Sequence, residues 1–226
     1  MLDSTPHLAA LHFAGSSVSW LELVAFAFAL GGVVLTARVS PWGWPPTLVA
    51  SALYGWLFFE HRLYGDAALQ LFFIAVSIWG WRAWLRPLQA TDSQTPPGQI
   101  PPDEAPPGHV PLRQNPLGVR SLSPTTRTRL LIALGSAWLA TGLVLSRFTD
   151  TDVAWLDAAL TAGSVVAQVL LARRYREAWA LWVGVNAIAV ALFAIKSLWL
   201  TVILYALLLA LSVLGWRHWR RLASEG

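Results

Sequence analysis

Two tryptophans and an asparagine share one face of a strongly apolar segment in this chain. Trp179, Trp182 and Asn186 stand at positions i, i+3 and i+7 of "EAWALWVGVNAIAV", a spacing that puts all three side chains on one side of a helix. Indole rings can stack on a flat heteroaromatic molecule and attract a cationic ring, and a nearby amide can fix its orientation. The segment is a candidate seat for a small polar aromatic ligand. The alternative is that the tryptophans form an interfacial belt and that Asn186 joins two helices.

A polar stripe runs along the apolar segment before it. Asp157, Thr161, Ser164 and Gln168 are spaced by four, three and four residues, again one helical face. Polar groups on an otherwise apolar membrane helix must face protein or a water-filled cavity, so the stripe is predicted to line the same site. Asp157 lies near the outer end and has a second interpretation as a residue that starts the helix.

These side chains belong to a chain with seven apolar segments. Of its 226 residues, 56% are hydrophobic and 12% are charged, about half the charged fraction usual in soluble domains. A helix needs about 20 apolar residues to cross a bilayer. The candidate spans are residues 20–36, 44–59, 67–84, 130–145, 153–171, 179–195 and 198–216. The predicted fold class is an all-α membrane protein with seven transmembrane helices.

The two ends of the chain repeat each other. Residues 20–86 align without a gap on residues 155–221, and 20 of the 67 positions are identical, most visibly in "SIWGWRAWLR" (77–86) and "SVLGWRHWRR" (212–221). The alignment pairs Trp44 with Trp179 and Ser51 with Asn186, which adds Trp44 and Ser51 to the candidate binding residues. Tyr205, in the seventh segment, is one more candidate.

The number of spans between the repeats sets their relative direction. A single span separates two units of three, so both units enter the membrane from the same face, and a 3+1+3 parallel-repeat arrangement is predicted. Transporters with repeats bind their substrate at the repeat interface and rock about it, which favours a small-solute transporter. The repeated endings "GWRAW" and "GWRHW" suit anchors at the membrane interface, with Gly80 and Gly215 allowing close helix packing.

Proline and arginine indicate the linker and the sidedness. Residues 87–129 are rich in proline, which blocks helices, so a disordered linker is predicted there. Of the 16 lysines and arginines, 13 fall on the linker side, and only Arg62, Arg147 and Lys196 fall on the other. The positive-inside rule then places the N-terminus outside and the C-terminus in the cytoplasm.

The predicted organisation follows from these boundaries. It comprises an extracytoplasmic tail (1–19), a first three-helix repeat (20–86), a cytoplasmic linker (87–129), a connecting helix (130–148), a second repeat (149–221) and a cytoplasmic tail (222–226).

Other chemistries have little support in the sequence. The chain has no cysteine, and its five histidines are scattered, so neither a metal site nor a cofactor is expected. No glycine-rich phosphate loop and no nucleophile–base pair stands out, so an ATP-driven pump and an enzyme are not expected. The net charge of +4 is explained by the sidedness, and nucleic acid is not an expected partner.

Residues 43–84 and 156–219 resemble the two halves of the PnuC-type vitamin transporters. The resemblance lies in the Trp-x-x-Trp pair followed by Asn and in the paired Gly-Trp endings. It implies a fold related to the SWEET sugar transporters, a bacterial inner-membrane location, and homotrimers. It also implies uptake of nicotinamide riboside by facilitated diffusion, with phosphorylation trapping the cargo inside. The ligand-contacting residues of the family correspond to Trp179, Trp182, Asn186 and Gln168.

Two alternatives to nicotinamide riboside uptake stay open. Members of the family differ in cargo, so thiamine or riboflavin is the alternative vitamin, and this chain has Thr47 and Ser51 where many members have Gly and Asn. In a different class, the long linker would suit a non-transporting membrane module with a cytoplasmic partner. The expected partners are a small vitamin and the lipid bilayer.

Overall fold

Seven helices make up most of the computed structural model of this protein. The structure describes residues 11–13, 16–62, 64–92, 118–148, 153–195 and 199–224. The helices are α1 (Trp20–Ala37), α2 (Trp44–Glu60), α3 (Tyr64–Asp92), α4 (Pro124–Phe148), α5 (Ala154–Ala172), α6 (Glu177–Ile195) and α7 (Trp199–Ser224). The helical class predicted from the sequence is confirmed.

Six of these helices are long and apolar enough to cross a membrane within the described ranges. They are α1 and α3 to α7. Helix α2 has 17 residues, at the lower end of the length that spans a bilayer. The prediction of seven spans is therefore met by length and composition for six of them.

A short hairpin that the sequence does not predict precedes α1. Strand β1 (Leu11–Phe13) pairs antiparallel with β2 (Ser16–Val18), with Leu11 opposite Val18. Ser19 then caps α1: its hydroxyl accepts from the Glu22 amide at 3.2 Å, and its own amide donates to the Glu22 carboxylate at 2.9 Å. This capping box fixes where the first helix begins.

The linker boundaries differ from the prediction at both ends. Helix α3 continues through Pro87 to Asp92, past the expected end at residue 86, and α4 begins at Pro124 rather than at residue 130. Ser123 caps α4, because its hydroxyl accepts from the Thr126 amide at 3.3 Å, and proline suits the first helical position that follows a cap. Residues 93–117 of the predicted disordered linker lie outside the described residues.

The helix contacts repeat between the two halves of the chain. Helix α2 packs against α1 and α3, and α6 packs against α5 and α7 in the same way. The halves meet through α1 with α7 and through α3 with α5, while α4 packs on α5. The contact between α1 and α7 is therefore the counterpart of the contact between α3 and α5.

Helices α1 and α5 also end in the same manner. Val39 (φ 59°) and Arg174 (φ 63°), which are repeat counterparts, adopt the left-handed conformation. The next amides, of Ser40 and Tyr175, each donate to a carbonyl five residues earlier at 3.0 Å, the pattern of a Schellman ending. A β-branched valine is unfavourable there, so the surrounding structure holds this turn in place.

Two tryptophans fasten the halves together by reciprocal hydrogen bonds. Trp84 Nε1 donates to the Ala172 carbonyl at 3.0 Å, and its counterpart Trp219 Nε1 donates to the Ala37 carbonyl at 3.0 Å. Each bond satisfies a carbonyl at the end of a helix, where no helical partner exists. Both pairs obey the 135-residue offset found in the sequence.

The same two tryptophans correct the expectation that the repeated endings are membrane-interface anchors. Trp84 and Trp219 are both 0% exposed, so the last indole of each motif belongs to the core. Their rings lie 5.9 Å apart, and each meets a tryptophan of its own half edge-on: Trp44 at 5.4 Å from Trp84, and Trp179 at 5.8 Å from Trp219. We call these four residues the tryptophan layer.

Glycine makes room for this layer, as the sequence predicted. A Cβ at Gly80 would lie 2.7 Å from the Trp44 ring, and one at Gly215 would lie 2.6 Å from the Trp179 ring. Each indole therefore sits directly on the backbone of the adjacent helix. Close packing of this kind is what holds helices together where lipid removes the hydrophobic drive between them.

Candidate functional site

A cavity of about 160 Å³ lies between the two halves, against the tryptophan layer. Helices α1, α2, α5, α6 and α7 line it. The lining residues of α2 and α5 lie at the helix ends close to the α1–α2 and α5–α6 loops, and those of α1, α6 and α7 extend to the middle of the helix. Its lining residues are Ala29, Val33, Thr36, Trp44, Thr47, Gln168, Leu171, Trp179, Trp182, Asn186, Leu208 and Ser212.

Five of the ten predicted binding residues line this cavity. They are Trp44, Gln168, Trp179, Trp182 and Asn186. The structure thus brings together the aromatic-amide face of α6, the last polar residue of the α5 stripe and the counterpart tryptophan of α2.

The other five predicted residues lie outside the lining. Asp157, Thr161 and Ser164 are on the earlier turns of α5, and a stripe of this length extends beyond a cavity that touches only the end of the helix. Ser51 is buried at 5% exposure and is shorter than its counterpart Asn186. Tyr205 stacks instead on Phe193, with ring centroids 5.1 Å apart.

Several lining residues lack a signal of their own in the sequence because they are apolar or small. Val33 and Thr47 are the repeat counterparts of Gln168 and Trp182, so the internal alignment held the signal that could have found them. Ser212 belongs to the repeated ending, whose tryptophans and arginines indicate an anchor rather than a ligand contact.

The amide of Asn186 is tied to the neighbouring helix. Its Nδ2 donates to Ser212 Oγ at 3.0 Å, and that hydroxyl donates in turn to the Leu208 carbonyl at 2.8 Å. Asn186 and Ser212 are 4% and 3% exposed. Part of the interpretation of Asn186 as a helix-joining residue therefore holds, although Asn186 also faces the cavity.

Gln168 brings a second amide to the cavity. It is 5% exposed, and no described residue hydrogen-bonds its side chain. A buried amide normally has a partner. Because Gln168 has none among the described residues, both its donor and its acceptor are available to a ligand.

The half-site on α1 and α2 is poorer in available polar groups. Thr36 Oγ1 donates to the Gly32 carbonyl at 2.9 Å, and Thr47 Oγ1 donates to the Gly43 carbonyl at 2.9 Å. Each hydroxyl therefore donates its proton to a backbone carbonyl and has none left to donate to a ligand. Polar recognition is concentrated on α5 and α6, opposite a wall of small and apolar side chains.

The cavity tryptophans play different parts. Trp44 and Trp179, 1% and 2% exposed, are held edge-on in the tryptophan layer and form the floor. Neither indole nitrogen has a hydrogen-bond partner in the described part of the chain. Trp182 is half-buried and is not part of the layer, so its ring is the one best placed for stacking on a ligand.

The end of the linker holds the start of α6. Glu177 accepts from the Leu122 amide at 3.2 Å and from Arg127 Nη2 at 3.0 Å. Arg120 bonds through its backbone to Arg174 and Arg176 in the α5–α6 loop. Burial, and then the nearby Arg120, lower the pKa of Arg174 from its ordinary value.

Residues 19–221 match the family model described as nicotinamide mononucleotide transporter. The chain belongs to this family. It is therefore a member of a family of membrane transporters, and the resemblance to PnuC-type proteins found in the sequence is confirmed.

Two relatives of this family member have names that state different transported molecules. The nicotinamide riboside transporter PnuC of Escherichia coli is 27% identical over 220 residues, which cover 93% of this chain and 89% of that protein. The riboflavin/roseoflavin transporter RibM of Streptomyces davaonensis is 25% identical over 203 residues, covering 89% and 85%.

A solved structure shares the fold of this family member. The crystal structure of the vitamin B3 transporter PnuC superposes with a TM-score of 0.67, at 23% identity, over 91% of this chain and 83% of that one.

Proposed function

We propose that this protein carries nicotinamide riboside across the inner membrane into the cell. The observation that carries the proposal is the cavity between the two halves, where the Trp182 ring lies with the amides of Asn186 and Gln168. The name of the Escherichia coli relative supports the same cargo.

The chemistry of the cavity suits a nucleoside with a cationic ring. A pyridinium ring is flat and positively charged, so an indole face attracts it by stacking and by cation–π interaction. The ring carboxamide and the ribose hydroxyls can pair with the amides of Asn186 and Gln168. We assign Trp182 the stacking role and Trp44 and Trp179 the floor.

The transport proposal includes an arrangement of two units that move about the cavity. It is a 3+1+3 parallel repeat, similar to the SWEET transporters, with the N-terminus outside, the C-terminus in the cytoplasm, and three copies in a homotrimer. The reciprocal bonds of Trp84 and Trp219 support the parallel relation, and the arginine distribution supports the orientation.

Transport in this proposal is facilitated diffusion, with phosphorylation in the cytoplasm trapping the cargo. The cavity is small in the described conformation: its volume of about 160 Å³ compares with about 150 Å³ for a cavity that takes one benzene ring. A whole riboside needs more room, so the two halves must separate to admit it.

The test is direct binding by the purified full chain. Calorimetry with nicotinamide riboside, thiamine and riboflavin should show the highest affinity for nicotinamide riboside. Tightest binding of riboflavin, the cargo in the name of the Streptomyces relative, would replace the proposed cargo and keep the carrier.

Flux measurements test transport itself. Liposomes that contain only this protein should accumulate labelled nicotinamide riboside down its gradient. Binding without flux would favour the non-transporting membrane module, in which the linker contacts a partner.

A further inference from the structure

Ser212 leaves Asn186 only one orientation of its amide. The Ser212 hydroxyl lies 2.8 Å from the Leu208 carbonyl oxygen and 3.0 Å from the Asn186 amide. A hydroxyl carries one proton, and a carbonyl oxygen can only accept, so the proton goes to Leu208. Toward Asn186 the hydroxyl must accept, which requires the NH₂ end of the amide to point at Ser212.

This orientation decides what Asn186 offers a ligand. Both residues line the cavity and are nearly fully buried. One proton of the Asn186 NH₂ group is committed to Ser212, and the carbonyl oxygen has no partner among the described residues. The second NH₂ proton stays free, and the carbonyl oxygen is a hydrogen-bond acceptor of fixed direction, whereas Gln168, which no described residue orients, can turn either end to a ligand.

We infer that Ser212 is a positioning residue that makes Asn186 an acceptor, so that the site selects a ring bearing a carboxamide over the same ring bearing a carboxylate. The inference rests on the proposed function for the identity of the ring. A carboxamide NH₂ group can donate to Asn186. A carboxylate has no proton to donate, and its negative charge would face a carbonyl dipole in a weakly screened cavity.

The first repeat supplies a matched control. Ser77 is the counterpart of Ser212 and is 0% exposed, yet its hydroxyl has no hydrogen-bond partner in the described ranges. Its helix neighbour by symmetry is Ser51, which is too short to play the part of Asn186. Ser77→Ala therefore removes the same atom from the same helical position without touching an oriented amide.

The experiment measures the affinity of the purified full chain for nicotinamide riboside and for nicotinic acid riboside. The unchanged protein should prefer the amide by about a hundredfold or more, because a site built to receive a donor rejects an analogue without one. Ser212→Ala should reduce this preference about five- to tenfold, the size of one hydrogen bond. Ser212→Thr, which keeps a hydroxyl, should restore it, and Ser77→Ala should leave it unchanged. An equal loss of affinity for both ribosides in Ser212→Ala, or an unaltered preference, overturns the inference.

A ligand-free measurement separates this inference from the proposed function. The side-chain NH₂ signals of Asn186, assigned by their loss in Asn186→Leu, should exchange with solvent more slowly in the unchanged protein and in Ser77→Ala than in Ser212→Ala. Equal exchange in all three overturns the positioning role, whatever the cargo. If neither riboside binds but Ser212→Ala alters the exchange, the proposed function fails and the positioning role stands.

Discussion

Substituting Gly215 with alanine should push the Trp179 ring out of its place in the cavity floor. The new Cβ would lie 2.6, 2.7 and 2.8 Å from three atoms of that ring, whereas carbon atoms in contact normally lie about 3.5–4.0 Å apart. The ring or the helix must therefore shift by roughly 1 Å. Trp179 is 2% exposed and packed against Trp219, so little slack exists to absorb the shift.

The size of the effect follows from the cost of overpacking. Adding a methyl group to a packed core costs about 1–3 kcal/mol, which corresponds to roughly a five- to 150-fold change in an equilibrium constant. We expect Gly215→Ala to lower the melting temperature in detergent and to weaken nicotinamide riboside binding about tenfold or more. Tryptophan fluorescence during heating follows the first effect, and calorimetry follows the second.

Two other glycines serve as controls for this prediction. A methyl group added at Gly135 in α4 or at Gly184 in α6 would meet no atom within 4 Å, so alanine there should be neutral or slightly stabilising. Gly80→Ala should behave like Gly215→Ala, because its Cβ would meet Trp44 at 2.7 Å. If Gly215→Ala matched the Gly135 and Gly184 controls in both assays, the view of the tryptophan layer as a rigid floor would be refuted.

Three further predictions concern stacking, the inter-half bonds and the linker. Trp182→Ala should lower affinity about 10- to 100-fold with little change in melting temperature; equal affinity by calorimetry would remove its ring from the site. Trp84→Phe and Trp219→Phe should each cost about 1 kcal/mol of stability for one lost hydrogen bond, and clearly unequal melting shifts would contradict their equivalence. Glu177→Gln should cost at most about 1 kcal/mol, because its ion-pair partners Arg127 and Arg176 are half and partly exposed. High salt should remove the stability difference between the unchanged protein and the variant, and a salt-independent difference would count against the ion pairs.

The internal repeat made the helical layout predictable from the sequence. Trp, Arg and Gly stood in register over 67 positions, and the paired tryptophans and glycines recur in the structure as equivalent contacts. Gly80 and Gly215 packed as expected, because glycine in a membrane helix commonly serves to let a neighbouring helix approach closely.

The position of each tryptophan was harder to predict. Trp84 and Trp219 lie beside arginines, which is also the pattern of an interfacial anchor, and composition alone does not distinguish an indole in headgroups from one that bonds a helix-end carbonyl. Only the helix arrangement shows that Ala37 and Ala172 lie within reach of those rings.

The cavity was predictable where polar residues marked it and not where they were absent. Asn186 and Gln168 stood out because amides are costly in apolar helices. Val33 and Leu208 carry no such signal. The predicted α5 stripe is longer than the cavity, because helical periodicity gives a face and not a depth along the helix.

The paired indole–carbonyl bonds have a consequence for how such a chain could have arisen. Each three-helix unit donates one indole N–H to the other unit, and in return one of its helix-end carbonyls accepts the equivalent indole N–H. This is the self-complementarity of a two-fold dimer, in which one surface patch binds its own copy. A half-length ancestor would already contain the donor and the acceptor of these two bonds, and in the proposed parallel arrangement α4 would deliver the second copy to the membrane in the same direction as the first.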